Sequence, residues 1–417
     1  MKKAFSFLPI ALVLFINACT TETKLQEEIQ LPEGKWRAVL SLGEEELPFI
    51  FELKNNGINY TFEIINGKEK IFVDEIIQTG DSFFVKLPIF DSEIIAKVTD
   101  KKITGNWVNN ARKIKNVIPF TATHALDKRF YTKERPNYNV TGSWEIGFFN
   151  PLEKDDAFKV EKAIGEFRQK DEIVTGTIMT PTGDYRYLEG VVDGDSLYLS
   201  SFDGAHAFLF KAKITIDNFI EGDFRSGLHW SEKWIAEKNE NYVLPDPDSL
   251  TFLKNGFEKI EFSFPNLEGK QVSFGDKKYE DKVVIIQIMG SWCPNCMDET
   301  AFLSKMYNRY NVKGLEIIAL AYETSPEFEK AKKTLQRLIK RFDAKYDFLI
   351  AGTSDKKQAV ETLPFLNHLM AFPTTIFIDK NGKVRKIHTG FTGPGTGKHY
   401  DHFVDKTTSL IEKLLNE

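Results

Sequence analysis

From Gly34 onward the chain reads as short alternations of apolar and polar residues, broken every few positions by Gly, Asn or Asp. Phe49-Ile50-Phe51-Glu52-Leu53 runs into Asn55-Asn56-Gly57, and Tyr60-Thr61-Phe62-Glu63-Ile64-Ile65 runs into Asn66-Gly67. Strand, Asn-Gly turn, strand is the strongest short-range hairpin signal, because Asn and Gly accept the positive φ of a tight turn. No helical period of useful length occurs before about residue 240.

This alternating text repeats. Gly34-Lys35-Trp36 matches Gly142-Ser143-Trp144, and Gly80-Asp81-Ser82 matches Gly194-Asp195-Ser196. Phe90-Asp91 matches Phe202-Asp203, and Ile103-Thr104-Gly105-Asn106-Trp107 matches Ile220-Glu221-Gly222-Asp223-Phe224. Four anchors in one order predict a duplicated antiparallel β module over residues 34–130 and 131–240, as two related barrels or sandwiches or one larger structure in two halves.

Residues 241–256 carry Pro245-Asp246-Pro247-Asp248, which continues neither strand nor helix and predicts a linker. Beyond it the period changes. Residues 283–289 are a β-branched run suited to a buried parallel strand, residues 294–310 are helical, and residues 315–321 form a second buried strand. Residues 326–342 predict an amphipathic helix with Lys and Arg towards its end, where the dipole favours cations. Residues 374–378 predict a third strand, 379–382 a turn, 384–388 its antiparallel neighbour and 401–415 a closing helix. The fold class expected is multi-domain: an N-terminal antiparallel all-β region, then an α/β domain over 257–417.

Length and composition fit this division. The 417 residues suit two or three domains, and 42% hydrophobic with 28% charged residues is a globular balance. The 35 Phe residues accord with aromatic β cores. A net charge of -5, spread along the chain, offers no basic face, so no nucleic-acid partner is expected.

The N-terminus reads as an address. Lys2 and Lys3 precede an apolar run over residues 4–16, shorter than the roughly 20 residues that span a bilayer. Residues 1–18 are expected to be a secretory signal. Ile16-Asn17-Ala18-Cys19 resembles the bacterial lipobox, which implies cleavage before Cys19, lipidation of its thiol, and a tether over residues 19–33. Thr20, rather than Asp, follows the cysteine, so the resemblance points to the periplasmic face of an outer membrane.

The chemistry concentrates at Trp292-Cys293-Pro294-Asn295-Cys296, which holds the only cysteines beyond Cys19. A pair three positions apart at a helix start can cycle between dithiol and disulfide. Unpaired N–H groups and the helix dipole favour a thiolate on Cys293, while Cys296 lies one turn in and is better shielded. Cys293 then attacks a disulfide and Cys296 resolves the mixed disulfide. Trp292 covers the apolar side, and Pro294 suits the first helical turn, where its missing N–H costs nothing. Met297 after Cys296 excludes covalent haem attachment, which needs Cys-x-x-Cys-His. Gly393-Pro394-Gly395-Thr396-Gly397-Lys398 is one residue short of a phosphate loop, and His399 stands where Ser or Thr must bind magnesium. His399 and His402 read as a solvated pair, and no metal ligand set is assigned.

Together with Phe262-Ser263-Phe264-Pro265 at the domain entry and Phe372-Pro373-Thr374-Thr375-Ile376-Phe377-Ile378-Asp379 near the end, these residues resemble the TlpA/ResA-like branch of the thioredoxin superfamily, whose members are extracytoplasmic thiol-disulfide reductases. The resemblance covers residues 257–417 and implies a thioredoxin-like fold there. It implies a cis bond before Pro373, facing the cysteines, and a Phe372 backbone that pairs with an extended substrate. Many thioredoxins carry a buried acid where Gln287 stands, and Gln287 cannot take a proton from Cys296. The branch often has a glutamate where Glu299 stands, so Glu299 is the expected acid/base helper. Asp298 and Glu299 also oppose thiolate formation by like charge.

The leading expectation is a lipid-anchored protein disulfide oxidoreductase acting as a reductase, with the Cys293–Cys296 pair as its only redox group and no bound cofactor. Its partners would be a disulfide-bearing client protein, a DsbD-like membrane electron donor and membrane lipid through Cys19. The β region would select or space the client. Alternatives are copper handling through Cys293, Cys296 and His388, peroxide reduction, for which Gly290 stands where threonine is wanted, and ligand binding by the β region alone.

Overall fold

The structure is a computed structural model that describes residues 29–57, 59–88, 90–112, 114, 116–150, 160–215, 219–257 and 259–417. The expected signal segment over residues 1–18 and Cys19 lie outside the described residues. Among the described residues, all regular structure before Pro247 is β.

Two nine-stranded antiparallel sheets carry the repeat. In the first, Gly34–Leu42 pairs with both Glu45–Asn55 and Val117–His124. In the second, Gly142–Phe149 pairs with both Glu161–Lys170 and Trp230–Lys238. The matched anchors do the same local work. Trp36 Nε1 donates to Pro32 O at 3.1 Å and Trp144 Nε1 to Val140 O at 2.8 Å, four residues upstream in each case. Gly80 and Gly194 turn with φ of 59° and 60°, conformations that a glycine adopts without penalty. Each following Asp holds a lysine, Asp81 with Lys97 and Asp195 with Lys213.

The copies differ in closure. Glu161–Lys170 pairs a second time, with Ile173–Thr180, so the second sheet closes into a barrel from which only the two-residue strand Gly183–Asp184 projects. The first sheet ends on Glu69–Val73 and Glu75–Thr79, and no ladder joins them among the described residues. The second sheet encloses an apolar core of its own, while the core of the first sheet is completed by Phe202, Ala207 and Leu209 of the second.

The C-terminal part is an α/β domain with a third core. Its five strands lie in the order Asp347–Thr353, Leu315–Glu323, Val283–Met289, Thr374–Ile378, Val384–Thr389. The first three run parallel and the last two antiparallel. Every residue of Val283–Met289 and Leu315–Glu323 is buried, as continuous β-branched and aliphatic runs require when helices cover both faces. Pro294–Tyr310, Phe328–Phe342, Lys356–Thr362 and Lys398–Asn416 are helices.

Five local readings are corrected. The edge strand Asp347–Thr353 was not foreseen, because Asp347 and Gly352-Thr353 shorten its apolar run. Helix Lys356–Thr362 was missed as well: Ala359 is its single buried residue, too little for a visible period. The cap was legible, since the Asp355 side chain accepts from Lys357 N and Gln358 N. The helix expected from residue 326 starts at Phe328, and the one expected over 401–415 is Lys398–Asn416. Finally, Pro247 opens a short helix, Pro247–Leu250, under an Asp246 cap. The expected linker is therefore bound: Asp248 pairs with His388 at 2.6 Å, and Thr389 Oγ1 donates to Thr251 Oγ1 at 2.9 Å.

Candidate active site

The strand Val283–Met289 delivers the chain to a tight turn at Gly290, where a Cβ would stand 2.2 Å from Trp292 Nε1. That indole N–H donates to Tyr322 O at 2.8 Å, and its ring meets Phe372 edge-on at 5.6 Å. Cys293 is the cap of helix Pro294–Tyr310, with extended φ and ψ of -100° and 115°. Its Sγ accepts the Cys296 N–H at 3.3 Å and lies 3.3 Å from Phe372 O. The Phe372–Pro373 bond is cis. Cys293 is 6% exposed and Cys296 0%, and both are free thiols. The sequence separates Cys293 from Phe372 by 79 positions; the fold puts them in contact.

The polar groups beneath the cysteines are sealed from water. Burial above all, then the adjacent Cys293, pushes the Cys296 thiol well above its ordinary pKa. Glu299 is 1% exposed. Its Oε1 accepts from Thr375 Oγ1 at 2.6 Å and its Oε2 from Gln287 Nε2 at 2.9 Å. Burial raises the Glu299 pKa to about 7, and these two hydrogen bonds oppose the rise. Gln287 Nε2 also reaches Cys296 O at 3.4 Å, so the residue that cannot take a proton bridges the acid and the inner cysteine. Thr375 and Gln287 were missed as partners, although Thr374-Thr375 directly after Pro373 was a legible signal.

Two further neighbours carry charge. Glu323 is buried and accepts Ser291 N at 2.9 Å and Ser291 Oγ at 2.6 Å, which pins the turn before Trp292. Lys356 donates to Met370 O at 2.5 Å, just before the cis-proline loop. Burial lowers its pKa, and the Cys293 sulfur opposes that shift.

The β region reaches the site from two sides. On one, Asp91 and Ala111 of the first sheet share a cavity of about 20 Å³ with Ser291, Trp292 and Glu323. On the other, Arg186 of the second sheet donates to Asp298 Oδ2 at 2.5 Å and to Pro294 O at 3.3 Å, pairs with Glu69 of the first sheet, and lies 3.8 Å from Asp203. Burial works against the Arg186 charge, and these three carboxylates more than offset it, so its pKa is raised. Asp298, expected to face the thiols with its charge, is instead held by Arg186, and burial raises its pKa to about 7 against that pairing. Arg186 was invisible in sequence, 112 positions from Asp298. His388 is engaged by Asp248, and His399 of the expected solvated pair faces Glu166 of the barrel at 3.1 Å. Among the described residues, no three His, Cys, Asp or Glu side chains are placed to hold a metal ion.

Dithiol exchange needs a sulfur at a helix start that borders a cleft, a shielded partner and a proton acceptor near it; Cys293, itself buried, lines such a cleft, with Cys296 shielded and Glu299 buried on the same helix. Residues 256–402 match the family model described as Redoxin. Thiol-disulfide oxidoreductase ResA of Halalkalibacterium halodurans is 30% identical over 135 residues, 32% of this chain and 68% of that protein. ResA of Bacillus cereus strain ZK / E33L is 31% identical over 154 residues, 37% of this chain and 78% of that protein. The thioredoxin domain of a thiol-disulfide oxidoreductase from Bacteroides vulgatus superposes over 37% of this chain and 99% of its own length, with 24% identity and a TM-score of 0.28. Through this C-terminal domain the chain belongs to the ResA-type thiol-disulfide oxidoreductases of the thioredoxin superfamily.

Proposed function

We propose that the chain reduces protein disulfides outside the cytoplasm, held at the membrane by lipid on Cys19, with Cys293 as nucleophile and Cys296 as resolving thiol. The carrying observation is the position of Cys293 Sγ, 3.3 Å from both the Cys296 N–H and Phe372 O. The Cys293 thiolate attacks one sulfur of a client disulfide. A Cys293–client bond forms, and the other client sulfur leaves as a thiolate and takes up a proton. Cys296 then loses its proton to Glu299 and attacks Cys293 Sγ. The Cys293–Cys296 disulfide forms, the second client thiol is released, and two electrons have passed to the client. A pKa of about 7 suits Glu299 to accept that proton and return it near neutrality. A membrane dithiol donor of the DsbD kind restores the reduced pair, so the cysteines are themselves the redox group. Trp292, Pro294, Phe372 and Pro373 shape the client face, with the Phe372 backbone pairing with an extended client segment.

The modules follow the divisions 34–130, 131–240 and 257–417, joined at 241–256. Among the described residues no helix is long and apolar enough to cross a membrane.

Trapping tests this reading. Cys296→Ala should accumulate client as a Cys293-linked mixed disulfide, and the added Cys293→Ser should abolish it. Unlinked Cys296→Ala protein after incubation with oxidised client overturns the reading.

A further inference from the structure

The cleft that Cys293 lines is walled on its far side by the barrel, not by the redox domain. Its volume is about 250 Å³. Cys293, Asn295 and Phe372 form one wall; Thr182, His206 and Phe208 of the barrel form the other. The wall is built in. A Cβ on Gly183 would stand 1.9 Å from Asn295 Nδ2, and one on Gly390 would stand 2.8 Å from the Thr182 carbonyl carbon. Asp184 Oδ2 accepts the Gly393 N–H at 2.7 Å, and the Arg186 ion pairs fix the same turn. His206 is oriented by Asp203, which accepts its backbone N–H at 2.6 Å and lies 3.4 Å from its Nδ1; its ring stacks on Phe208 at 4.6 Å. Between the walls, Asn295 Oδ1 is buried and has no hydrogen-bond partner among the described residues. An unmet buried acceptor between the two cysteines marks a place for an incoming N–H donor.

We propose that the barrel is half of the client site: His206 and Phe208 contact the residues flanking the client cysteine, Asn295 Oδ1 accepts a client N–H, and the cleft thereby selects cystines in extended, unfolded segments over those on folded surfaces. The proposal rests on the dithiol reading above. At about 250 Å³ the cleft is below the roughly 300–1,000 Å³ of pockets for drug-sized ligands, so it has room for the backbone and flanking side chains around one cysteine of an extended segment, and a narrow cleft of this kind favours such a segment over a folded surface. An extended segment laid against Phe372 has its flanking side chains turned alternately to the two walls.

The test uses the full chain, reduced beforehand, and three thionitrobenzoate (TNB) disulfides: DTNB itself, a flexible nonapeptide whose single cysteine is linked to TNB, and a folded protein whose one surface cysteine is linked to TNB. Attack by Cys293 releases coloured TNB thiolate from each. The wild-type chain should act on the peptide at least about 100-fold faster than on the folded protein, a difference of roughly 3 kcal/mol. His206→Ala and Phe208→Leu should each lower the ratio of peptide to DTNB rates by about fivefold, the loss of one net contact of roughly 1 kcal/mol, mainly through KM. Asn295→Ala should do the same. Phe208→Leu keeps the barrel core filled, and His206→Ala changes a side chain at its rim, so folding is preserved in at least one variant. Ratios within about twofold of wild type in all three variants, below roughly 0.5 kcal/mol, or equal rates on peptide and folded protein, overturn the proposal. Absence of TNB release from every probe instead overturns the dithiol reading.

Discussion

The β half and the redox half both bury charge, but they finish it differently. Arg129, in the chain between the two sheets, is 4% exposed and donates to Pro48 O, Ser200 O, Ser200 Oγ, Ile65 O and Asn66 Oδ1. Arg186 meets three carboxylates. Both guanidiniums are held through their terminal nitrogens, each Nε being buried without a hydrogen-bond partner among the described residues, and each ties together parts of the chain that share no sheet. Glu299 in the redox half meets only neutral donors, Thr375 and Gln287, and its pKa moves to about 7. A buried guanidinium matched by carboxylates or by many dipoles keeps its charge and is a structural joint. The buried carboxylates can change protonation, since burial raises both Asp298, even beside Arg186, and Glu299 to about 7, and at Glu299 that is what exchange chemistry requires.

Substitutions sharpen that contrast. Arg129→Ala strips the donor from several buried acceptors at once and should cost about 4 kcal/mol or more, with both sheets loosening together in hydrogen exchange. Arg186→Ala leaves Glu69, Asp203 and Asp298 without their cation. A loss of about 3–5 kcal/mol is expected, read as a lowered denaturant midpoint and faster labelling of Cys293 as the barrel wall undocks. A loss below about 1 kcal/mol in either variant would break the view of these arginines as joints.

Glu299→Gln should give a smaller effect that depends on pH. The folded carboxyl holds its proton up to about 7, while the unfolded one releases it near 4.5. Its favourable contribution is therefore complete below pH 4.5 and declines as pH rises to about 7. Relative to wild type, the Gln variant should gain about 3 kcal/mol between pH 4.5 and 8, measured as urea midpoints across that range. A flat difference would show that Glu299 does not titrate there. The same variant should slow the resolving step near pH 7 while leaving Cys293 alkylation intact. The least effect is expected at Asp81→Asn and Asp195→Asn. Both break exposed lysine pairs at matched positions, so the two repeats should respond alike and slightly, and high salt should erase the difference.

Much of this was legible in one dimension. The Asn66-Gly67 turn, the paired Gly-x-Trp openings and the β-branched run at Val283–Met289 each state their structure locally, because turn geometry and face alternation are short-range constraints. Cys293-Pro294-Asn295-Cys296 announced its chemistry through spacing alone. Asp347–Thr353 and Lys356–Thr362 stayed hidden because edge elements bury too few residues to write a period. Glu323 and Arg186 stayed hidden because nothing near them in sequence marks a polar residue as a partner of the cysteines.

The sequence by itself determined the order of parts: a twice-written β module, a connector, and a redox domain with its two sulfurs one helical turn apart. Those follow from local propensity and period, which act over a few residues. Only the tertiary structure decided that Phe372 meets Cys293, that Glu299 is dry enough to hold a proton near neutrality, and that the turn Gly183–Arg186 of the second sheet faces the first turn of the cysteine helix. The physical reason is that burial and charge pairing depend on which distant surfaces meet, a property of packing across a hundred or more positions and not of any window along the chain.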